Sequence, residues 1–209
     1  MMQDDILDAL CERLAVEHEC HTIILYGSRA RGDAEPDSDY DLIGFRDGTE
    51  PVRRETGHWR GALLDVFIYP AERLAAVDDA LLHVRGGHVL RQRGELGAQF
   101  LASLERLHAS APPSLPNDEI EARKNWALKM LDRAARENIE GNYRRVWLLT
   151  TLLENYFVLR SRRYPGPKEA FDVLAVSDPQ AHALFSEALR PGAEHVTLTV
   201  LVGYVNEGV

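Results

Sequence analysis

The chain has 209 residues, 45% hydrophobic and 27% charged, which excludes a disordered polypeptide and suits one large domain or two small ones. With 33 acidic against 24 basic residues the formal charge is −9, which disfavours non-specific binding to nucleic-acid backbone. Two cysteines, Cys11 and Cys20, are too few for a disulfide framework and fit no zinc spacing, so reduced thiols in a cytoplasmic protein are expected.

The opening segment is acidic and amphipathic, unlike a secretory signal, and no run approaches the ~18 apolar residues of a membrane span. Ile6, Leu7, Leu10 and Leu14 recur at helical spacing, predicting a helix over 4–18. Thr22 to Tyr26 is a short β-branched apolar run ending at Gly27 and reads as a buried strand. A second strand is expected over 39–45 and a third over 62–69, the latter stopped by Pro70. Residues 71–83 look helical, Gly86-Gly87 breaks the chain, 88–91 fits a short fourth strand, and 95–109 a helix.

Pro112, Pro113 and Pro116 then interrupt any regular element, so 111–117 reads as a linker between a first part, 1–110, and a second, 118–209. The first part holds 20 acidic and 12 basic residues, the second 13 and 12, so nearly all the net charge lies before the prolines. The second part is expected to be a helical bundle. Its first helix runs to Glu140, capped by Asn117 or Asp118 and ended by Gly141. Further helices are expected over 142–163, 167–176 and from Pro179 to Arg190; Val196 to Val205 is β-branched and leans to helix. Trp126, Trp147 and Phe157 are read as core.

The chemistry concentrates in residues 25–43. Gly27 lets backbone approach a ligand closely, and Ser28 adds a hydroxyl beside its own N–H. A helix starting there would offer unpaired N–H groups to phosphate, with Arg29 and Arg31 adding charge. Asp39 and Asp41 are two apart, so on a strand their carboxylates share a face. Like charges that close call for a cation, and magnesium takes one or two carboxylates together with substrate phosphates. Asp65 is a third carboxylate, set in an apolar strand where a charge needs a metal or a partner. Singly, Gly-Ser is an ordinary turn and Asp-x-Asp an exposed loop; in this order, each at a strand, they point to phosphoryl chemistry.

Gly27-Ser28, ten residues, Asp39-Tyr40-Asp41 and a later Asp65 resemble the DNA polymerase beta-type nucleotidyltransferase superfamily, in its small prokaryotic branch. The resemblance spans about residues 5–108 and implies an α+β fold with a mixed-sheet nucleotidyltransferase core. It implies that Gly27 and Ser28 hold nucleotide phosphates, that Asp39 and Asp41 ligate two Mg²⁺ ions, and that Asp65 ligates one of them. The second part resembles the C-terminal domain of kanamycin-type antibiotic nucleotidyltransferases, through Glu154-Asn-Tyr-Phe157 and Tyr164-Pro-Gly-Pro-Lys168. That likeness implies Glu154 as general base. Lys168 is a candidate phosphate contact.

The expected activity is transfer of a nucleoside monophosphate, AMP from ATP or another nucleoside triphosphate, to a hydroxyl of a small molecule such as an aminoglycoside-like antibiotic. Pyrophosphate is released. The alternative is a toxin–antitoxin-type nucleotidyltransferase that modifies or binds a partner protein. Neither membrane nor nucleic acid is an expected partner; a homodimer is left open.

Overall fold

The structure is a computed structural model that describes residues 4–207; residues 1–3 and 208–209, included in the two parts above, lie outside the described residues. The chain divides between Ser110 and Ala111 into two compact units. The described residues form a five-stranded mixed sheet with helices, followed in sequence by an all-helical segment, as the α+β reading expects. Among the described residues no helix is long and apolar enough to cross a membrane.

In the first unit, α1 (Asp5–Glu17) starts at Asp4, whose carboxylate accepts from the Ile6 and Leu7 amides, both at 3.1 Å. The strands are β1 (Thr22–Tyr26), β2 (Tyr40–Arg46), β3 (Arg53–Trp59), β4 (Ala62–Pro70) and β5 (His88–Arg91), in the order β3-β4-β2-β1-β5. Only β2 and β4 run parallel; the other pairs are antiparallel. Leu10 and Leu14 of α1 cover one sheet face, on Ile23, Leu25, Leu42, Leu64 and Val66. The opposite face carries Ile24, Tyr26, Ile43 and Phe45. It is covered by two 3₁₀ turns, Ala71–Leu74 and Asp79–Val84, and by a helix, 96–109, through Leu74, Leu81, Val84, Phe100 and Leu104.

One strand was not expected, and two expectations differ from the structure. Strand β3 was not anticipated; it is an edge strand with five of seven residues exposed, so no buried alternation marks it. Asp39 stands just before β2 rather than in it. Residues 71–83 are not one helix but two 3₁₀ turns, the second capped by Asp78, whose carboxylate accepts from the Ala80 amide at 3.1 Å.

Counting α2 at Gly27–Arg31 and α3 at Leu96–Ala109, the second unit holds α4 (Asn117–Ala134), α5 (Ile139–Val158), α6 (Pro167–Ser177), α7 (Pro179–Leu189) and α8 (His195–Glu207). Asn117 lies inside α4 instead of capping it; the flanking position is Pro116, without a side-chain cap. The first helix stops at Ala134, because Asn138 caps a new one, accepting from the Gly141 amide at 2.8 Å. Gly141 therefore sits within α5, where a β-carbon would collide with the Arg136 carbonyl. The β-branched last segment is helical, since Leu198, Leu201, Val202 and Val205 at i, i+3, i+4 and i+7 are all buried and outweigh local propensity. Phe157 is core, whereas Trp147 is 43% exposed beside Trp126.

Candidate active site

The site is built where β1 and β2 meet. β1 ends at Tyr26, and Gly27 turns the chain into the one-turn helix α2 with φ of +70°. In register, Tyr26 faces Asp41 across β1–β2, and Asp41 faces Asp65 across the parallel β2–β4 pair. Two carboxylates thus stand on directly opposed residues of adjacent strands, and like charges so placed repel. Asp41 lies against Gly27: a β-carbon there would collide with Asp41 Oδ2 and stand 2.8 Å from its Cγ. The glycine is required by both its backbone angle and its neighbour.

α2 is followed by a loop to Asp39. Arg29 fastens that loop, donating from Nε to the Asp39 carbonyl at 3.1 Å and from Nη2 to the Ser38 carbonyl at 2.6 Å. Its guanidinium stacks 3.8 Å over the Tyr40 ring. Tyr40 in turn donates its hydroxyl to Asp4 at 3.0 Å, so the entry to β2 is tied to the start of α1. Arg29, expected at the nucleotide, is thus engaged in holding the backbone that presents Asp39. Ser28 keeps its carbonyl in the turn, accepting from the Gly32 amide at 2.9 Å. Arg31 is near Asp33, at 3.3 Å, on the exposed side of α2.

Asp65 is engaged by a residue that the sequence reading did not single out. Arg54 on β3 grips it with a two-pronged fork, Nε to Oδ1 and Nη2 to Oδ2, both at 2.8 Å. Its guanidinium lies 5.0 Å from the centre of the Phe67 ring. The bond to Asp65 holds the guanidinium above its ordinary pKa. The sequence cue is Gly61, which suits a tight hairpin turn; in the structure Arg60 and Gly61 both have positive φ, as a two-residue turn of this kind requires. Pairing out from Trp59↔Ala62 puts Thr56 opposite Asp65 and Arg54 two residues away on the same face.

Behind the carboxylates, the Tyr26 phenol is buried. Burial first, and then the charges of Asp41 and Asp65, hold it protonated well above the usual tyrosine range. His83 packs its ring edge-on at 5.1 Å from Tyr26 and 6.4 Å from Phe67, with Nδ1 2.7 Å from the Ala80 carbonyl.

The donor chemistry fits a hard divalent cation: Asp39, Asp41 and Asp65 are all-oxygen donors, and two of them oppose each other directly. In the arrangement as it stands, no three His, Cys, Asp or Glu side chains among the described residues are gathered closely enough to hold an ion. Asp65 points its carboxylate to Arg54 instead.

The two candidates from the second part lie in the second unit. Glu154 is on α5, its side chain 47% exposed and 3.6 Å from Arg123 Nη1. The same Arg123 donates to the buried Asn155 Oδ1 at 2.9 Å. Lys168 is exposed at the start of α6.

Residues 4–82 match the family model described as nucleotidyltransferase domain, so a little over a third of the chain, containing all of β1 to β4, is similar to that family. No curated protein sequence matches. Among solved structures, the chain is similar to a nucleotidyltransferase-like protein from Exiguobacterium sibiricum, at 11% identity and a TM-score of 0.49 over 96% of this chain and 74% of that one.

Proposed function

We propose that the protein is a nucleotidyltransferase that moves AMP from ATP to a hydroxyl of a small molecule of the aminoglycoside class. The observation that supports this reading is the opposition of Asp41 and Asp65 on parallel strands beside Gly27, within the segment that matches the nucleotidyltransferase domain. The acceptor oxygen attacks the α-phosphorus, the bond from that phosphorus to the bridging oxygen breaks, and pyrophosphate leaves. The acceptor's proton goes to a carboxylate base; the likeness of the second part to antibiotic nucleotidyltransferases is what nominates Glu154. Asp39, Asp41 and Asp65 would hold two Mg²⁺ ions, which when bound neutralise phosphate charge and favour in-line displacement. Gly27 and Ser28 receive the triphosphate, where the absence of a side chain on Gly27 leaves the backbone open. Arg29 keeps the loop carrying Asp39 in place, Arg31 supplies positive charge on α2, and Lys168 remains a candidate phosphate contact.

The test is incubation of the full chain with ATP, Mg²⁺ and a panel of aminoglycosides, following pyrophosphate release. Release that depends on one acceptor class, and disappears in Asp41→Asn, supports the reading. No release with any hydroxylated acceptor would sink it, and labelling only of a co-expressed protein would favour the partner-modifying alternative. Glu154→Gln should lower kcat about a hundredfold, the scale of general-base catalysis; an unchanged kcat removes Glu154 from the mechanism.

A further inference from the structure

Resting on the reading above, we propose that Arg54 is an exchangeable countercharge for Asp65: it occupies the third carboxylate in the nucleotide-free protein and moves to the triphosphate when substrate arrives.

Three observations lead to this. The Arg54–Asp65 fork has both bonds at 2.8 Å, so the carboxylate oxygens are taken up together. The pair sits at the carboxylate site itself, since Asp65 is directly opposite Asp41. Without a cation, two opposed carboxylates repel, and the guanidinium relieves that repulsion. Finally, the Arg54 side chain is 56% exposed while that of Asp65 is 19% exposed, so the arginine can swing into solvent without unpacking the unit. Water reaches the guanidinium on its open side, so it can exchange one anionic partner for another. A guanidinium fork matches phosphate as well as it matches carboxylate, which a lysine ammonium does not.

A purely structural role, pinning β3 to β4, is the competing account. The hairpin already has seven paired positions from Arg53↔Ile68 to Trp59↔Ala62, so it does not depend on one side-chain pair. The exchange predicts opposite effects on two ligands, which a structural role does not.

The experiment titrates Mn²⁺ into the nucleotide-free full chain by electron paramagnetic resonance, and separately measures tripolyphosphate binding in chelator by calorimetry. Arg54→Ala should bind Mn²⁺ about tenfold more tightly than wild type, because a competing unit charge has gone. The same variant should bind tripolyphosphate about tenfold more weakly. Arg54→Lys, which keeps charge but loses the fork, should fall between the two. Circular dichroism checks that each variant is folded, and Asp41→Asn serves as the metal-site control. If Arg54→Ala and Arg54→Lys match wild type in Mn²⁺ affinity while Asp41→Asn loses Mn²⁺, the exchange is overturned and the three-aspartate site stands. If neither wild type nor Arg54→Ala binds Mn²⁺, the three-aspartate site and the exchange fall together.

Discussion

Gly27 and Asp41 fit together only because residue 27 has no side chain: its missing β-carbon is the space that the Asp41 carboxylate occupies. The same residue needs φ of +70°, so two independent constraints meet there. Gly27→Ala should therefore displace Asp41 and strain the turn into α2. The strain costs about 1 kcal/mol of stability, and on the proposed function turnover should drop at least a hundredfold, because misplacing a group by about 1 Å is that costly where chemistry occurs. Thermal unfolding and pyrophosphate release check the two halves. A variant with normal turnover would mean that the Asp41 position is not critical.

Arg29 makes a second kind of prediction, because the structure uses it on backbone. Two carbonyls, Ser38 and Asp39, and the Tyr40 ring are held by one guanidinium. Arg29→Lys keeps the charge and loses the planar stack and fork. If Arg29 works by positioning Asp39, Arg29→Lys should lower kcat and weaken Mn²⁺ binding nearly as much as Arg29→Ala does. If it works as a phosphate contact, lysine should restore most of the ATP KM.

The separation between what could and could not be read from sequence follows burial. Strand β1 and its neighbours β2 and β4 announce themselves through apolar residues that must be covered, and α1 through its 3.6-residue stripe. Asp65 stands out in the sequence because a charge in an apolar strand needs a partner, and the structure supplies one in Arg54. Arg54 was not legible by that logic: it lies on an exposed edge strand, where no pattern of burial marks one polar residue among others. The cue that remains is Gly61, a residue suited to the tight turn that pairs β3 with β4. In the second unit, the break between α4 and α5 was misread because the glycine was taken as a stop. The stop is in fact Asn138, and Gly141 is a contact between turns. Trp147 was misread because size was equated with burial, whereas Ile139, Tyr143, Val146 and Trp147 form an exposed stripe on α5 opposite its buried face.

His18 and His21 connect the first unit's stability to pH. Both are largely buried, and burial lowers both pKa values below the ordinary 6.5. For His18 the attraction of Glu55, 3.3 Å away, opposes burial, and Arg53 and Arg13 reinforce it. For His21, Arg93 reinforces burial and Asp47 opposes it. The unfolded chain therefore takes up these protons first as pH falls, so the contribution of both residues is present above about 6.5 and declines below it. Melting temperature should fall from pH 7.5 to pH 5.5, and the slope should flatten in His18→Gln combined with His21→Gln. An unaltered slope in that variant would assign the pH dependence to other groups.

Asp178 gives the clearest stability prediction in the second unit. Its carboxylate accepts from the Tyr156 hydroxyl at 2.6 Å, the Tyr204 hydroxyl at 2.9 Å and the Ala181 amide at 2.9 Å, joining α5, α8 and the start of α7. Burial opposes its ionisation, yet these bonds outweigh it and hold the carboxyl below its ordinary pKa. The partner phenol of Tyr156 is pushed up to about 12, by burial and by the same bond. Asp178→Ala removes the helix cap and leaves a buried hydroxyl unpaired, a loss of about 3 kcal/mol. Asp178→Asn keeps an equally good cap but surrenders the charge that both tyrosines address, a loss of about 1 kcal/mol. Chemical unfolding of the full chain, followed by tyrosine fluorescence, should therefore rank wild type above Asp178→Asn above Asp178→Ala. Equal stability of the two variants would mean that neither the cap nor a neutral acceptor contributes and that only the charge of Asp178 matters.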